Sequence, residues 1–294
     1  MMTTAGALLR TMRPRQWVKN VFVTAPLVFS RHLEEPNYLI RTALAALAFC
    51  ALSGAVYSFN DVRDAEADRL HPTKRLRPIA AGALSERAAL IWAAVLAAGA
   101  LAGCFALGWE CGAFASAYLA QNLLYSLGLK RIAFVDVGLI TLGFLLRVLA
   151  GAAAIHVPAS RWVLLNTALL ALFLGLGKRG HELTWAARNQ QDTATRAALA
   201  GYRIEVVRVA MVVLAAGTCV AFVAYTLSAG TIEFFGTDEL VYVAPFVVGA
   251  VGRFLWLALG HPGDEPPTDA MLGDRWFLVA LAGAVVTTLY AIYR

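Results

Sequence analysis

The chain has 294 residues, 60% of them hydrophobic and 15% charged, with a formal net charge of +6 and a mean hydropathy of +0.65. Soluble domains average about 45–50% apolar and about 25% charged residues, so an ordinary soluble fold is excluded. No polar linker divides the chain, and the expectation is one all-α, polytopic membrane domain over residues 1–294, a bundle of nine transmembrane helices with a polar pocket facing the cytoplasm.

In chain order, the opening stretch MMTTAGALLRTMRPRQW is interrupted by Arg10, Arg13 and Arg15 and followed by Lys19, with no small-residue cleavage site. It does not read as a cleaved secretory signal. A helix needs about 20 apolar residues to cross the hydrocarbon. Helices are therefore predicted over 17–31, 37–59, 86–108, 110–128, 132–156, 161–180, 204–229, 239–260 and 273–293. The first is short, carries Lys19 and Asn20, and has Pro26 inside it. Lysines and arginines concentrate at the N-terminus and in the 60–85, 129–131, 178–203 and 261–273 loops, Arg196 among them. The positive-inside rule places all of these in the cytoplasm. The basic excess is explained by orientation and by attraction to anionic membrane lipids, and no aromatic-interleaved basic stripe points to nucleic acid. Cys50, Cys104, Cys111 and Cys219 are scattered through apolar runs and read as small buried side chains. His32, His156 and His261 read as loop or interface residues, not metal ligands.

One segment departs from this apolar background: YSFNDVRDAEADRLHPTKRLRPIAAG, residues 57–82. At roughly 100° per residue, a helix through it would bring Asp61, Asp64 and Asp68 within an arc of about 60°, with Asn60 beside them and Glu66 elsewhere. Three like charges at a membrane boundary repel and are partly desolvated, and a bound cation relieves both. An oxygen-only set suits Mg²⁺, which takes one or two carboxylates plus substrate phosphate. The basic run that follows, with Lys74, Arg75 and Arg77, can neutralise the remaining phosphate charge. The competing reading is a solvated loop whose acids and bases pair with each other.

Further along, Tyr125, Lys130, Arg131 and Asp136 lie at the cytoplasmic boundary. Lys130 and Arg131 read as topology anchors or as ligand contacts. Asp136, at an apolar helix start, needs a partner, either a second metal position or a ribose hydroxyl. Arg147 falls on the same helical face as Asp136. A charge at that depth costs about 3 kcal/mol on insertion scales and calls for a buried partner or a lipid phosphate; Arg253 poses the same question. In GLGKRGHEL, Lys178, Arg179, His181 and Glu182 sit together at the end of the predicted 161–180 helix. They form either a surface cap with a Lys178–Glu182 pair or a second anion clamp facing the aspartate segment.

The run NDVRDAEAD, of the form NDxxDxxxD and followed by RPIAAG, resembles the first aspartate-rich motif of the UbiA superfamily of intramembrane prenyltransferases. The resemblance implies a nine-helix bundle in which Asp61, Asp64 and Asp68, supported by Asn60, hold Mg²⁺ on a diphosphate. Members that prenylate aromatic rings carry a second DxxxD motif, and here Asp64–Asp68 is the sole DxxxD spacing. GKRGHEL stands in its place. With MRPRQWVKNVFVTAPLVFS, YSLGLK, GFLLRVLAGA and PPTDAMLGDRWF, it is similar to the decaprenyl-phosphate phosphoribosyltransferase branch. That branch implies transfer of 5-phosphoribose from phosphoribosyl diphosphate (PRPP) to a polyprenyl phosphate in a plasma membrane, serving arabinose-donor synthesis for the cell envelope. Lys74, Arg75 and Arg77 would then neutralise donor phosphate. Lys178, Arg179 and Glu182 would bind the second anion or the ribose, and Lys19, Tyr125, Lys130, Asp136 and Arg147 would complete the pocket. Two competitors are a prenyltransferase acting on an aromatic or glycerol acceptor, disfavoured by the missing second motif, and a transporter, disfavoured because the charges gather at one boundary.

Overall fold

The computed structural model describes residues 3–71, 73–188, 198–259 and 265–294. Arg196 and His261, with the parts of their loops around them, lie outside the described residues. Every regular element among the described residues is helical. The chain divides into two compact units, Met1–Leu127 with Gly143–Ala159, and Gly128–Leu142 with Ser160–Arg294.

The first unit opens with α1 (Thr4–Thr11), whose N-terminus is capped by the Thr3 side chain accepting from the Gly6 N–H. A 3-10 helix follows over Pro14–Val23, then the short α2 (Ala25–Phe29). The crossing expected over 17–31 is therefore not a continuous α-helix. Proline lacks an N–H and its ring clashes with the preceding turn, so the chain restarts with Pro26 in the first turn of α2. Next come α3 (Pro36–Arg63), α4 (Ala65–Arg69), α5 (Glu86–Leu107) and α6 (Trp109–Leu127). Helix α3 packs along α5 and also touches the 3-10 segment and α6. Their shared core includes Val23, Phe49, Leu52, Cys104, Ala115 and Leu146. Gly151, in α7 (Val135–Ala154), meets the backbone of Val23 so closely that a Cβ there would lie 2.0 Å from the Val23 carbonyl oxygen. Only a glycine admits that approach.

The second unit holds α8 (Arg161–Arg188), α9 (Ile204–Leu227), α10 (Ala229–Phe235), α11 (Ala244–Leu259), α12 (Pro267–Ala270) and α13 (Arg275–Tyr293). Helix α8 packs on α9, and α11 packs on both α9 and α13. Phe173, Val207, Met211, Val251 and Phe254 make the core. Helix α8 continues to Arg188, beyond the end expected at 180, so Lys178, Arg179 and Glu182 lie inside the helix rather than at its cap.

Seven helices among the described residues are long and apolar enough to cross a membrane: Pro36–Arg63, Glu86–Leu107, Val135–Ala154, Arg161–Arg188, Ile204–Leu227, Glu239–Leu259 and Arg275–Tyr293. Two of the nine predicted crossings fall outside this set. One is the proline-broken first segment; the other is α6, which carries Glu110, Gln121 and Asn122 and falls short of that apolarity. Large apolar side chains stand outward, with Leu47 64%, Val220 68% and Val286 66% exposed. Such faces suit lipid, and helices suit it too because their backbone polar groups are satisfied internally.

Candidate active site

Helix α3 ends at Arg63, and the chain bends at Asp64 (φ −97°, ψ 3°) before α4 begins. The bend is mild, since the Asp64 N–H still donates to the Asn60 carbonyl at 2.9 Å and the Asp68 N–H to the Asp64 carbonyl at 2.8 Å. The predicted facing holds in burial: Asp61 and Asp68 are buried, Asp64 is half-buried and Glu66 is exposed. Arg77 Nη1 donates to Asp61 Oδ1 at 3.2 Å and to Asp68 Oδ2 at 2.5 Å. One guanidinium nitrogen therefore bridges two buried carboxylates.

Arg13 supplies a second cation. Its Nη2 donates to the same Asp61 Oδ1, and its guanidinium stands 4.9 Å from the centre of the Tyr57 ring. Its backbone is left-handed, at φ 51°, a conformation that is strained for a residue with a Cβ. Asn60 adds a buried Oδ1 that has no hydrogen-bond partner among the described residues.

The loop that carries Arg77 is held by local chemistry. His71 Nδ1 lies 3.3 Å from the Thr73 N–H donor nitrogen and 3.4 Å from that of Lys74, at the start of the 3-10 turn Lys74–Leu76. After Arg77 the backbone folds back on the Pro78 carbonyl, and Gly82 turns at φ 75°. Ile79 and Leu84 are then buried with Ala7, Ala65 and Ala89. Lys74 is half-buried and Arg75 exposed.

The three-carboxylate metal cluster expected from the helical spacing is not assembled: no group of three or more His, Cys, Asp or Glu side chains among the described residues has that arrangement. Asp61 and Asp68 are instead compensated by the two arginines. The donor set nevertheless fits a hard divalent ion. Two buried carboxylates converge on one cationic nitrogen, the neighbouring residue Asn60 has an amide oxygen without a hydrogen-bond partner among the described residues, and Mg²⁺ takes one or two carboxylates with its remaining positions given to phosphate and water.

The second unit has its own polar cluster. Asp136 is fully buried; it accepts from the Tyr202 hydroxyl at 2.6 Å and pairs with Arg179 Nε at 2.6 Å. That Nε–Oδ2 contact is an ion pair without hydrogen-bond alignment. Arg179 Nη1 also reaches Glu182 one turn on. Tyr202 in turn accepts from the Phe134 N–H at 2.8 Å, where the backbone is left-handed at φ 66°. Burial first, and then the bond to Asp136, hold the Tyr202 phenol above its ordinary range, so it stays a neutral donor. Asp136 is thus committed to Tyr202 and Arg179. The sequence predicts a ribose or metal contact for it, and the structure shows it paired inside the protein with Tyr202 and Arg179.

Arg147, in the first unit, is buried with neutral partners: Asn20 Oδ1 at 2.9 Å, the Gly143 carbonyl at 3.1 Å and the Tyr118 hydroxyl at 2.7 Å. The Tyr118 and Phe144 rings lie 4.7 Å and 5.2 Å away. Lys19, Tyr125 and Lys130 are half-buried. Arg253 is paired with Asp274 at 3.0 Å and 2.7 Å and stacks on Trp256, a structural role. Sequence reasoning missed Arg13 and Tyr202 because each meets its acid across 48 and 66 residues respectively. No local pattern marks them.

The UbiA prenyltransferase family model matches residues 21–278. A Mycobacterium tuberculosis protein named decaprenyl-phosphate phosphoribosyltransferase is 35% identical over 290 residues, covering 97% of this chain and 94% of that one. A Mycolicibacterium smegmatis protein of the same name is 32% identical over 299 residues, with 98% and 93% coverage. Among solved structures, a UbiA homologue from Archaeoglobus fulgidus bound to GPP and Mg²⁺ matches with a TM-score of 0.73 at 16% identity, over 97% of this chain and 98% of that one. The last likeness bears on fold alone. Together with the apolar helices and the family match, the sequence relatives place this chain in the UbiA prenyltransferase family, as a multi-pass membrane transferase.

Proposed function

We propose that the protein transfers 5-phosphoribose from PRPP to a polyprenyl phosphate of the decaprenyl type, releasing diphosphate, with Mg²⁺ as cofactor. The observation that carries this reading is the near-full-length similarity to relatives of that name. The chemistry of the site supports it: buried acids beside arginines for a metal-bound diphosphate, and a buried arginine at the place where aromatic prenyltransferases keep a second acidic motif.

In this reading Asp61 and Asp68, with Asp64 and Asn60, hold the ion. When bound, Mg²⁺ neutralises charge on the departing diphosphate. Arg77 and Lys74, with Arg75 at the rim, bind donor phosphate. Lys178, Arg179 and Glu182 take the second anion or the ribose, and Asp136 and Tyr202 fix Arg179 for that task. Lys19, Tyr125, Lys130 and Arg147 complete the substrate contacts. The bond from the ribose anomeric carbon to the diphosphate oxygen breaks, and an oxygen of the acceptor phosphate forms the new bond. The acceptor is already an anion, so no general base is needed. Orientation and stabilisation of the leaving group supply the acceleration. The N-terminus and the aspartate loop face the cytoplasm of a plasma membrane, where water-soluble PRPP is available, and the product serves as a precursor of arabinose donors for the envelope.

The test uses purified protein in detergent with Mg²⁺, following diphosphate release and a phosphoribosylated lipid. Product that requires both PRPP and polyprenyl phosphate, and that disappears with EDTA, is the expected outcome. Turnover of a prenyl diphosphate with an aromatic acid, and none with PRPP, would sink the proposal.

A further inference from the structure

We infer that Arg13 and Arg77 are the resting counterions of the aspartate site, and that their presence makes the metal and the donor diphosphate bind as one unit. The inference rests on the reading above, that this site takes a metal-bound diphosphate, and deepens it by assigning Arg13 and the order of charge compensation.

Asp61 and Asp68 are buried, and the two guanidiniums on them cancel their charge. A divalent cation entering alone would meet two buried carboxylates that are already compensated, and even with the half-buried Asp64 counted it would leave an excess of positive charge in a poorly solvated place, close to two arginines. The diphosphate alone would leave several negative charges beside two carboxylates. Either charge buried alone is costly. Arriving together, they nearly cancel. Asp61 and Asp68 would hold the cation, and the guanidiniums of Arg13 and Arg77 would then be free to bind the diphosphate oxygens, for which arginine's fork of donors is suited.

Two geometric facts make this exchange specific. Arg77 places a single nitrogen, Nη1, on both carboxylates, the position from which one cation would serve both. Arg13 reaches Asp61 from a left-handed backbone and rests against the Tyr57 ring. That residue is held in a strained conformation on a neighbouring segment, and a structural anchor for Asp61 would not require it while Arg77 is present. Strain retained at such a place points to function rather than folding. By linkage, whatever the diphosphate does for metal affinity, the metal does equally for diphosphate affinity.

The probe is Mn²⁺, whose free fraction is read by electron paramagnetic resonance, with no turnover involved. Wild-type protein in detergent is titrated with Mn²⁺ alone and, calorimetrically, with the preformed magnesium complex of inorganic diphosphate. Arg13→Gln and Arg77→Gln each leave the site one positive charge short. Both should bind Mn²⁺ alone about fivefold or more tightly than wild type, and the diphosphate complex more weakly by a similar factor, within the 5–150-fold span of ordinary coupling. Arg13→Lys keeps the charge and should restore weak binding of Mn²⁺ alone. The opposite signs matter, because a variant that merely unfolds loses both ligands. If Mn²⁺ affinity in the glutamine variants is unchanged or lowered, the counterion role is wrong. If Asp61→Asn binds Mn²⁺ as wild type does, the metal-site reading itself fails, and the two failures are distinguishable.

Discussion

Asp68 accepts a 2.5 Å bond from Arg77, and the same guanidinium touches Asp61. Replacing Asp68 with Asn removes one of two convergent carboxylates and leaves Arg77 leaning on Asp61 alone. Loss of one preorganised charge at a leaving-group site typically costs about 10²–10³-fold in rate. Asp68→Asn is therefore expected to lower kcat for diphosphate release by that order, measured as initial rate at saturating Mg²⁺, whereas Glu66→Gln, on the exposed side of the same short helix, should leave it near wild type. Equal losses in both variants would mean that burial and facing do not select the working acids. Tyr202 makes the contrasting case at this scale. Its hydroxyl joins Asp136 to the Phe134 backbone, and Asp136 in turn pairs with Arg179.

At the scale of elements, the 3-10 segment Pro14–Val23 is the unusual part, because such helices seldom exceed three or four residues. Its length here is ten residues, and two contacts one helical turn apart on α7 hold it: Arg147 on Asn20, and Gly151 against Val23. Gly151→Ala would press a methyl group on the Val23 carbonyl, and overpacking of this kind costs about 1–3 kcal/mol. A clear fall in thermal midpoint in detergent is expected, while Gly138→Ala, with nothing within 4 Å of its new methyl, should be neutral or slightly stabilising. A second element is tied by Asp274, which caps α13 by accepting from the Phe277 N–H and holds Arg253 of α11. The Arg253 bond first, and the Phe277 N–H second, lower its carboxyl to about 2 from the ordinary 3.8. A pKa depressed on folding means stability that is present above the unfolded value and lost as pH falls through the folded one. The thermal midpoint should therefore decline between about pH 4 and pH 2, and Asp274→Asn should flatten that part of the profile. The effect is small, because the pair is near the surface and screened by solvent.

For the whole molecule, the outward faces of the long helices require lipid, and the basic loops set their direction. Single cysteines placed at Thr4 and at Arg75, in a background with the native cysteines replaced, should both react with a membrane-impermeant maleimide only from the cytoplasmic side, in inverted vesicles. Labelling of the two positions from opposite sides would overturn the orientation, and with it the assignment of PRPP as a cytoplasmic donor.

The amino-acid sequence by itself determined the class of the fold and which face of the aspartate segment is buried. Apolar run lengths and the lysine–arginine bias are properties of a solvent boundary, and they are legible without coordinates. The aspartate spacing 61, 64, 68 is a local periodicity, so its burial pattern could be read as well. The tertiary structure decided which charges compensate one another. Arg13 and Tyr202 reach their acids across 48 and 66 residues, and α8 outruns its predicted end because the polar GKRGHEL segment is buried within the second unit rather than left in water. The prolines that break the first segment are visible in the sequence, yet the 3-10 geometry between them depends on Gly151 and Arg147 pressing against it. Long-range pairing of charges follows from where the chain folds back, and no spacing within a single helix encodes that.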